Sequence, residues 1–324
     1  MSLKKVVACI KKHKYFLITT HTSPEGDAVG SELAFARLLK KLGKIVTIVN
    51  EDDVPYEYGF LPGVSSIKKF SRNITGLRFD CLVFLDCSEA KRAGEVSRIS
   101  TGKKIILNID HHISNRKFGQ LNWVEPYSSS ASEMIYKLYK KMRIPLDRES
   151  AVSLYTGILT DTGSFRYSNT TSSTHQAVSE LIKYGLDIPR IYKNIYENIP
   201  FGEIKLLNKV LSRMQREAKG KIIWFQIAQK ILKNKALSFD LAEQVLSFAR
   251  SVKDAEAVVL FRENPGVKGE IRVNFRSQGK VDVNKIASYF GGGGHKTASG
   301  CTIRGKISQV RKKVLSRIRE NLEQ

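Results

Sequence analysis

The stretch Ile105-Ile106-Leu107-Asn108-Ile109-Asp110-His111-His112 decides the fold of this chain. It begins as a short apolar run typical of a buried strand, and a carboxylate and two imidazoles follow at its carboxyl end. Such residues at the end of a buried strand indicate ligand chemistry more than core packing. Taken alone, the tripeptide Asp110-His111-His112 fits a chance surface cluster equally well.

Three other segments lead into residues of the same kind. A strand-like run at 16–19 precedes His21, Glu25 and Asp27, a second run at 81–85 precedes Asp86, and Asp161 lies in Leu159-Thr160-Asp161-Thr162-Gly163-Ser164. In an open α/β sheet, such residues converge beyond the carboxyl ends of the strands. A mixture of imidazole and carboxylate suits Mn²⁺, Fe²⁺, Co²⁺ or Zn²⁺ better than Ca²⁺. The sequence therefore predicts a site for divalent ions, and a pair of ions sharing one carboxylate would use all these ligands.

The alternation of apolar runs with helical patterns predicts an α/β fold with a parallel sheet over residues 1–200. We expect its strands at 16–20, 45–49, 81–85 and 105–109. Residues 201–219 have the pattern of an amphipathic linker helix, and a smaller α/β domain is expected over 220–324. Its strands are expected at 222–227, 257–261 and 271–275, and its helices at 238–252, 282–290 and 308–322.

The composition favours a polyanionic partner. Lys and Arg number 54 against 31 Asp and Glu, which gives a formal net charge of +23. The alternative is a surplus of solvated lysine with no functional meaning. The four cysteines, Cys9, Cys81, Cys87 and Cys301, lack the spacing of a disulfide framework, which predicts free thiols in a reducing cytoplasm. No apolar run reaches the roughly 20 residues of a membrane span, so no membrane association is expected.

Two sets of motifs follow one another along nearly the whole chain. The first is His21-x-x-Pro24-x-Gly26-Asp27-Ala28-x-Gly30-Ser31, then Asp86, then Asp110-His111-His112, then Asp161. The second is Arg276-Ser277, then Gly291-Gly292-Gly293-Gly294-His295. Together they resemble the DHH phosphoesterase superfamily with its DHH-associated C-terminal domain. The resemblance implies a parallel-sheet DHH domain joined by a linker helix to a smaller α/β domain with a mixed sheet.

The resemblance also implies a metal site of two divalent ions, with Mn²⁺ as the expected metal. One ion would be held by His21, Glu25 and Asp86. The other would be held by Asp27, Asp86, His111 and Asp161, so that Asp86 bridges the pair. Glu25 departs from the family, which usually has Asp at this position, and the extra methylene puts the geometry at that ion in doubt.

Further roles follow from the same resemblance. Asp86, Asp110, His111 and His112 are expected to take part in catalysis, with Asp110 orienting His111 or fixing the loop. His112 would face the substrate phosphate. In the second domain, a terminal phosphate of the substrate would be bound by Arg276, Gly292, Gly293, Gly294 and His295. The glycine run alone is weak evidence, because such a run also forms ordinary flexible turns.

The implied function is hydrolysis of short RNA oligonucleotides and linear dinucleotides to mononucleotides, together with removal of the 3′-phosphate from 3′-phosphoadenosine 5′-phosphate. Two alternatives share the metal site, namely a RecJ-like single-strand exonuclease and a manganese-dependent pyrophosphatase. The first needs extra nucleic-acid-binding segments, for which 324 residues leave little room. The second should lack the glycine-His tail. A non-catalytic nucleotide-binding module is the alternative from another class. The oligomeric state stays open, with a homodimer among the choices.

Overall fold

The computed structural model describes residues 3–71, 77–99, 102, 104–227, 241–264 and 267–322. The chain divides into two compact units, Met1–Asn198 and Ile199–Gln324, each with a sheet of six strands. Among the described residues, no helix combines the length and apolarity needed to cross a membrane.

The first unit alternates strands with helices. Its strands are β1 Tyr15–Thr19, β2 Ile45–Asn50, β3 Ile67–Lys69, β4 Cys81–Leu85, β5 Ile105–Asp110 and β6 Leu121–Val124. Its α-helices are α1 Leu3–Lys12, α2 Gly26–Lys41, α3 Ala131–Met142, α4 Arg148–Asp161, α5 Ser172–Ile182 and α6 Ile188–Tyr196. Short 3-10 segments cover Tyr56–Tyr58, Val64–Ser66 and Ala90–Arg98. The four predicted strands are confirmed, whereas β3 and β6 were not predicted.

The sheet of the first unit has the order β3-β2-β1-β4-β5-β6, and every neighbouring pair is parallel. The predicted parallel sheet is therefore confirmed. The chain adds β2 and β3 on one side of β1 and then returns to place β4 on the other side. This change of direction creates a crevice between the carboxyl ends of β1 and β4, where open α/β sheets bind ligands.

The second unit has a mixed sheet. Its strands are β7 Gln215–Glu217, β8 Ile222–Ile227, β9 Ala257–Glu263, β10 Glu270–Ser277, β11 Gly293–Gly294 and β12 Ala298–Arg304, in the order β11-β12-β10-β9-β8-β7. Only β8 and β9 pair in parallel among these described strands. The helices are α7 Phe201–Leu211, α8 Leu241–Arg250, α9 Val283–Tyr289 and α10 Ile307–Leu322, with a 3-10 turn at Ala218–Gly220. Residues 238–240 of the predicted helix 238–252 lie outside the described residues.

The linker helix predicted over 201–219 is too long. Helix α7 ends at Leu211, and β7 then pairs antiparallel with β8. The turn between β7 and β8 requires Gly220, whose φ of 93° lies in the left-handed region. Leu207 and Val210 of α7 are buried in the same apolar cluster as α8, so this helix is part of the second unit's core.

Helices α2 and α4 of the first unit pack so closely that their backbones are in contact. A Cβ placed on Gly30 of α2 would lie 2.3 Å from the carbonyl oxygen of Ser153 in α4. A Cβ on Gly157 of α4 would lie 2.8 Å from Oδ1 of Asp27. The absence of side chains at both glycines therefore lets α2 carry Asp27 against α4, which ends at Asp161.

Replacing Gly30 by alanine is expected to destabilise the first unit. Alanine favours a helix by up to about 1 kcal/mol over glycine, but overpacking against a backbone carbonyl costs roughly 1–3 kcal/mol or more. Urea unfolding should therefore show a lower free energy of unfolding for Gly30→Ala. Gly202→Ala in α7 is the control, because no atom lies within 4 Å of the added Cβ. Equal stability changes in the two variants would contradict the close packing.

Candidate active site

Several of the predicted site residues of the first unit meet at the carboxyl edge of its sheet. His21 follows β1 by two residues, Asp86 follows β4 directly, and Asp110 is the last residue of β5. Asp86 has a φ of 54°, and its backbone nitrogen donates to the carbonyl of Ile109 at 3.0 Å. This left-handed turn stops β4 and holds the Asp86 carboxylate beside the residues that follow β5.

Asp86 is the centre of this cluster. Its Oδ2 lies 3.4 Å from Nε2 of His21, and its Oδ1 lies 3.4 Å from Nε2 of His111 and 3.5 Å from Nδ1 of His112. Within the described part of the chain, Oδ1 of Asp86 is buried and accepts no hydrogen bond. A buried carboxylate oxygen without a donor is costly, so the position favours a bound cation.

Asp27 has two roles at the start of α2. Its Oδ2 accepts a hydrogen bond from the backbone of Ala131 at 2.7 Å, and its Oδ1 accepts one from Ser132 at 2.8 Å. The carboxylate thereby satisfies two amides at the N-terminus of α3. The same Oδ2 lies 3.9 Å from Nε2 of His111. Because each oxygen has a second lone pair, this cap is compatible with metal ligation.

Asp161 reaches the cluster from the end of α4, where its Oδ2 lies 3.6 Å from Nε2 of His111. Asn169 holds this end of the helix, because its Nδ2 donates to the carbonyls of Asp161 at 3.1 Å and Ser129 at 2.9 Å. Asn169 was not among the site residues predicted from the sequence. A single amide in a polar loop has no period or spacing that would have marked it.

Glu25 is the one predicted ligand that is exposed. It is exposed at the N-cap position of α2, and its side chain does not cap that helix. Its charge still contributes to the raised pKa of Asp161, after burial and the other nearby groups. Among the described residues of this unit, two triplets each bring their potential ligand atoms within 4.8 Å of one another. They are Asp27-Asp86-His111 and Asp86-Asp110-His112. Glu25 is in neither.

Asp110 binds His112. Its Oδ1 lies 2.7 Å from Nδ1 of His112, and its Oδ2 accepts a hydrogen bond from Nδ2 of Asn115. Nδ1 of His111 instead lies 3.2 Å from the carbonyl of Ser128. Of the two roles expected for Asp110, these contacts favour fixing the loop over orienting His111. Asn115 was not predicted from the sequence either.

The charges of the cluster are strongly coupled. Burial disfavours ionisation of Asp86, but the imidazoles of His111 and His21 hold its pKa well below the ordinary value. Burial likewise opposes protonation of His111, yet the carboxylates of Asp161 and Asp86 raise its pKa well above the ordinary value. Burial, followed by the charge of Asp86, raises the pKa of Asp27 to about 6. This concentration of buried acids, mixed with imidazole, fits a divalent transition-metal ion.

Arg276, in β10 of the second unit, forms an ion pair. Its guanidinium donates to the carboxylate of Glu243 in α8 and, at 2.9 Å, to the carbonyl of Phe275. The side chain of Arg276 is largely buried by these contacts. An anion that binds Arg276 would therefore compete with Glu243, which the sequence analysis did not anticipate.

The glycine run is built into the fold of the second unit. The amides of Gly291 and Gly292 donate to the carbonyls of Ser288 and Ala287 in the last turn of α9. The strand Gly293–Gly294 pairs with β12. A Cβ on Gly292 would lie 2.1 Å from the carbonyl oxygen of Gly300. The run therefore has a packing reason that the sequence did not reveal, and His295 follows it in a tight turn closed by Ala298.

Comparisons with known proteins agree with this architecture. A family model described as the DHH family, N-terminal domain, matches residues 15–158, and one described as the DHHA1 domain matches residues 210–324. The bifunctional oligoribonuclease and PAP phosphatase NrnA of Thermus thermophilus is 31% identical over 94% of this chain and 89% of its own length. The protein of the same name from Bacillus subtilis is 28% identical over 92% of each chain.

Among solved structures, an exopolyphosphatase-related protein from Bacteroides fragilis superposes with a TM-score of 0.88 and 26% identity. The match covers 99% of this chain and 97% of that one. Fold, motif order and nearly full-length similarity thus agree across both units. This chain belongs to the DHH family and carries a DHH domain followed by a DHHA1 domain.

Proposed function

We propose that this chain is a metal-dependent phosphoesterase that hydrolyses short oligoribonucleotides, including linear dinucleotides, to mononucleotides. It also removes the 3′-phosphate of 3′-phosphoadenosine 5′-phosphate. The observation that carries the proposal is the convergence of Asp86 with three imidazoles at the crevice between β1 and β4. The names of the curated relatives support both substrates, and the charge of +23 suits polyanions. We place the protein in the cytoplasm, where its four free cysteines stay reduced.

We assign two Mn²⁺ ions to this cluster. The residues that would hold them are His21, Glu25, Asp27, Asp86, His111 and Asp161. The donor chemistry fits, because the cluster mixes imidazole nitrogens with carboxylate oxygens and includes Oδ1 of Asp86, which is buried and accepts no hydrogen bond among the described residues. When bound, the ions supply a hydroxide nucleophile at neutral pH and neutralise charge on the phosphate oxygens.

The protein's own residues fix the imidazoles and receive the substrate. Asp110, itself held by Asn115, keeps a proton on Nδ1 of His112. We assign Nε2 of His112 to a phosphate oxygen of the substrate. In the second unit, we assign Arg276 and His295, with Gly292–Gly294, to a terminal phosphate. The first unit is thereby the catalytic one, and the second contributes substrate binding.

Substrate length is the test of this function. If the second unit binds a terminal phosphate while the first cleaves the linkage, added nucleotides gain no specific contact. Dinucleotides to pentanucleotides should therefore be hydrolysed faster than a long single strand, despite a net charge that favours long polyanions. The assay uses purified protein with Mn²⁺ and labelled RNAs of graded length, at equal concentration and physiological salt, beside 3′-phosphoadenosine 5′-phosphate.

Each outcome of that assay decides between named alternatives. Faster, processive degradation of the long strand would make the RecJ-like exonuclease the better assignment. Release of phosphate from inorganic pyrophosphate, with RNA untouched, would favour the pyrophosphatase. Binding of nucleotides without hydrolysis at any Mn²⁺ concentration would favour the non-catalytic module. A chelator added to the active enzyme should abolish hydrolysis of both proposed substrates.

A further inference from the structure

A chain of buried hydrogen bonds joins the ends of β1, β2 and β4 to helix α2. Asn50, the last residue of β2, donates from Nδ2 to Oε2 of Glu32 in α2 at 2.8 Å. Oδ1 of Asn50 accepts from the backbone nitrogen of Thr20 at 3.3 Å. Thr20 in turn donates through Oγ1 to the carbonyl of Leu85 at 2.8 Å. Glu32, Asn50 and Thr20 are all 0% exposed.

The chain of bonds ends beside two candidate metal ligands. Thr20 directly precedes His21, and Leu85 directly precedes Asp86. The hydrogen bond from Thr20 to Leu85 therefore joins the ends of β1 and β4. The residues that follow, His21 and Asp86, contact one another at 3.4 Å. Because Asn50 holds the backbone nitrogen of Thr20, a displaced Asn50 side chain would let this strand end, and with it His21, shift.

Glu32 is a costly residue to place at this position. Its Oε1 is buried and, among the residues that the structure describes, has no hydrogen-bond partner. Burial raises the pKa of Glu32 to about 8, although the hydrogen bond from Asn50 acts to lower that pKa. A neutral acceptor would satisfy the Asn50 amide at a lower desolvation cost than a buried acid, so the fold alone does not account for an acid here.

We propose that Glu32 and Asn50 are positioning residues for the metal site, which hold Thr20 so that His21 and Asp86 keep the spacing that metal binding needs. Glu32 sets the rotamer of the Asn50 amide, and Asn50 sets the backbone at Thr20. Neither residue touches substrate. The inference rests on the proposed function for its meaning in catalysis, but its effect on metal binding can be measured without any substrate.

Glu32→Met is the informative substitution, because it keeps the volume and removes the acceptor of the Asn50 amide. We expect Mn²⁺ affinity, measured by titration calorimetry, to fall about tenfold or more, the usual cost of losing support behind a metal ligand. The kcat for dinucleotide hydrolysis should fall while KM changes little. The thermal midpoint without metal should change little, because removal of the buried acid offsets the cost of leaving the Asn50 amide without its acceptor. Glu32→Gln keeps the acceptor and should restore Mn²⁺ affinity.

A matched control separates positioning from general packing. Tyr139→Phe removes another fully buried hydrogen bond to α2, the one from the Tyr139 hydroxyl to the carbonyl of Ala34 at 2.9 Å, and should leave Mn²⁺ affinity unchanged. Asn50→Ala should reproduce the loss seen in Glu32→Met, and the double variant should lose no more than Asn50→Ala alone.

The proposal is overturned if folded Glu32→Met binds Mn²⁺ as the wild type does. Additive losses in the double variant would also overturn it, because the two residues would then act separately. If the wild type binds Mn²⁺ but hydrolyses neither substrate, the proposed function fails. The affinity measurements would still decide the positioning role in that case.

Discussion

Replacing Asp86 by asparagine is expected to lower hydrolysis of dinucleotides and of 3′-phosphoadenosine 5′-phosphate by at least about a thousandfold, equivalent to about 4 kcal/mol of transition-state stabilisation. Asp86 contacts His21, His111 and His112 at once, so its charge affects every part of the cluster. Asparagine keeps the size of the side chain and loses the charge that the proposed bridging role between two cations requires. Elemental analysis should show less Mn²⁺ per chain than in the wild type.

The fold should survive this substitution, because Asp86 makes no buried ion pair with Lys or Arg among the described residues. Circular dichroism and the thermal midpoint test this point. Asp53→Asn is the matched control, since the Asp53 carboxylate pairs with Lys69 on the surface of the same unit and its side chain is 75% exposed. An Asp86→Asn protein with full metal content and turnover within about tenfold of the wild type would end the two-metal assignment.

The carboxyl-edge cluster was predictable because each of its members follows a local pattern. Asp86 and Asp110 stand directly after or at the end of apolar runs that form β4 and β5. Once the strands are parallel neighbours, their ends must meet, so sequence-local signals are enough to bring His21, Asp86 and Asp110 together. His21 illustrates the same rule, because it follows β1, the strand that pairs with β4.

Supporting residues were not predictable, because their partners lie far along the chain. Asn169 bonds the carbonyl of Ser129, 40 positions away, and Glu32 meets Asn50 across 18 positions. Neither residue stands out in its local segment. The same limit explains why the linker helix was predicted too long. The helical period of α7 gave no sign that β7 would pair with β8 instead of continuing that helix.

The glycine run shows a different limit. A sequence of four glycines predicts freedom of the backbone, and a phosphate-binding loop is one use of that freedom. In the structure, Gly292 must be glycine because Gly300 lies too close for any side chain. The amides of Gly291 and Gly292 are already used, because they donate to carbonyls in the last turn of α9. The phosphate recognition that we propose for this unit would therefore depend more on side chains such as Arg276 than on an open loop of amides.

Replacing Arg276 by alanine is expected to lower kcat/KM for 3′-phosphoadenosine 5′-phosphate by up to about a hundredfold, mainly through KM, because charge-assisted hydrogen bonds contribute about 1.5–3 kcal/mol. Glu243→Gln should have the opposite sign. It removes the carboxylate charge that competes with phosphate for the guanidinium, while it keeps the shape of the side chain. KM should then fall, and metal content should stay unchanged in both variants.

Opposite shifts of KM distinguish phosphate binding from a structural ion pair, because both substitutions remove the same ion pair between β10 and α8. If that ion pair only stabilised the fold, Arg276→Ala and Glu243→Gln would both lower the thermal midpoint, and both would leave KM at the wild-type value. Arg272→Ala controls for the general field, since Arg272 is an exposed residue of the same charge on the same strand. Equal rises in KM for Arg272→Ala and Arg276→Ala would mean that net charge, and not a specific contact from Arg276, attracts the substrate.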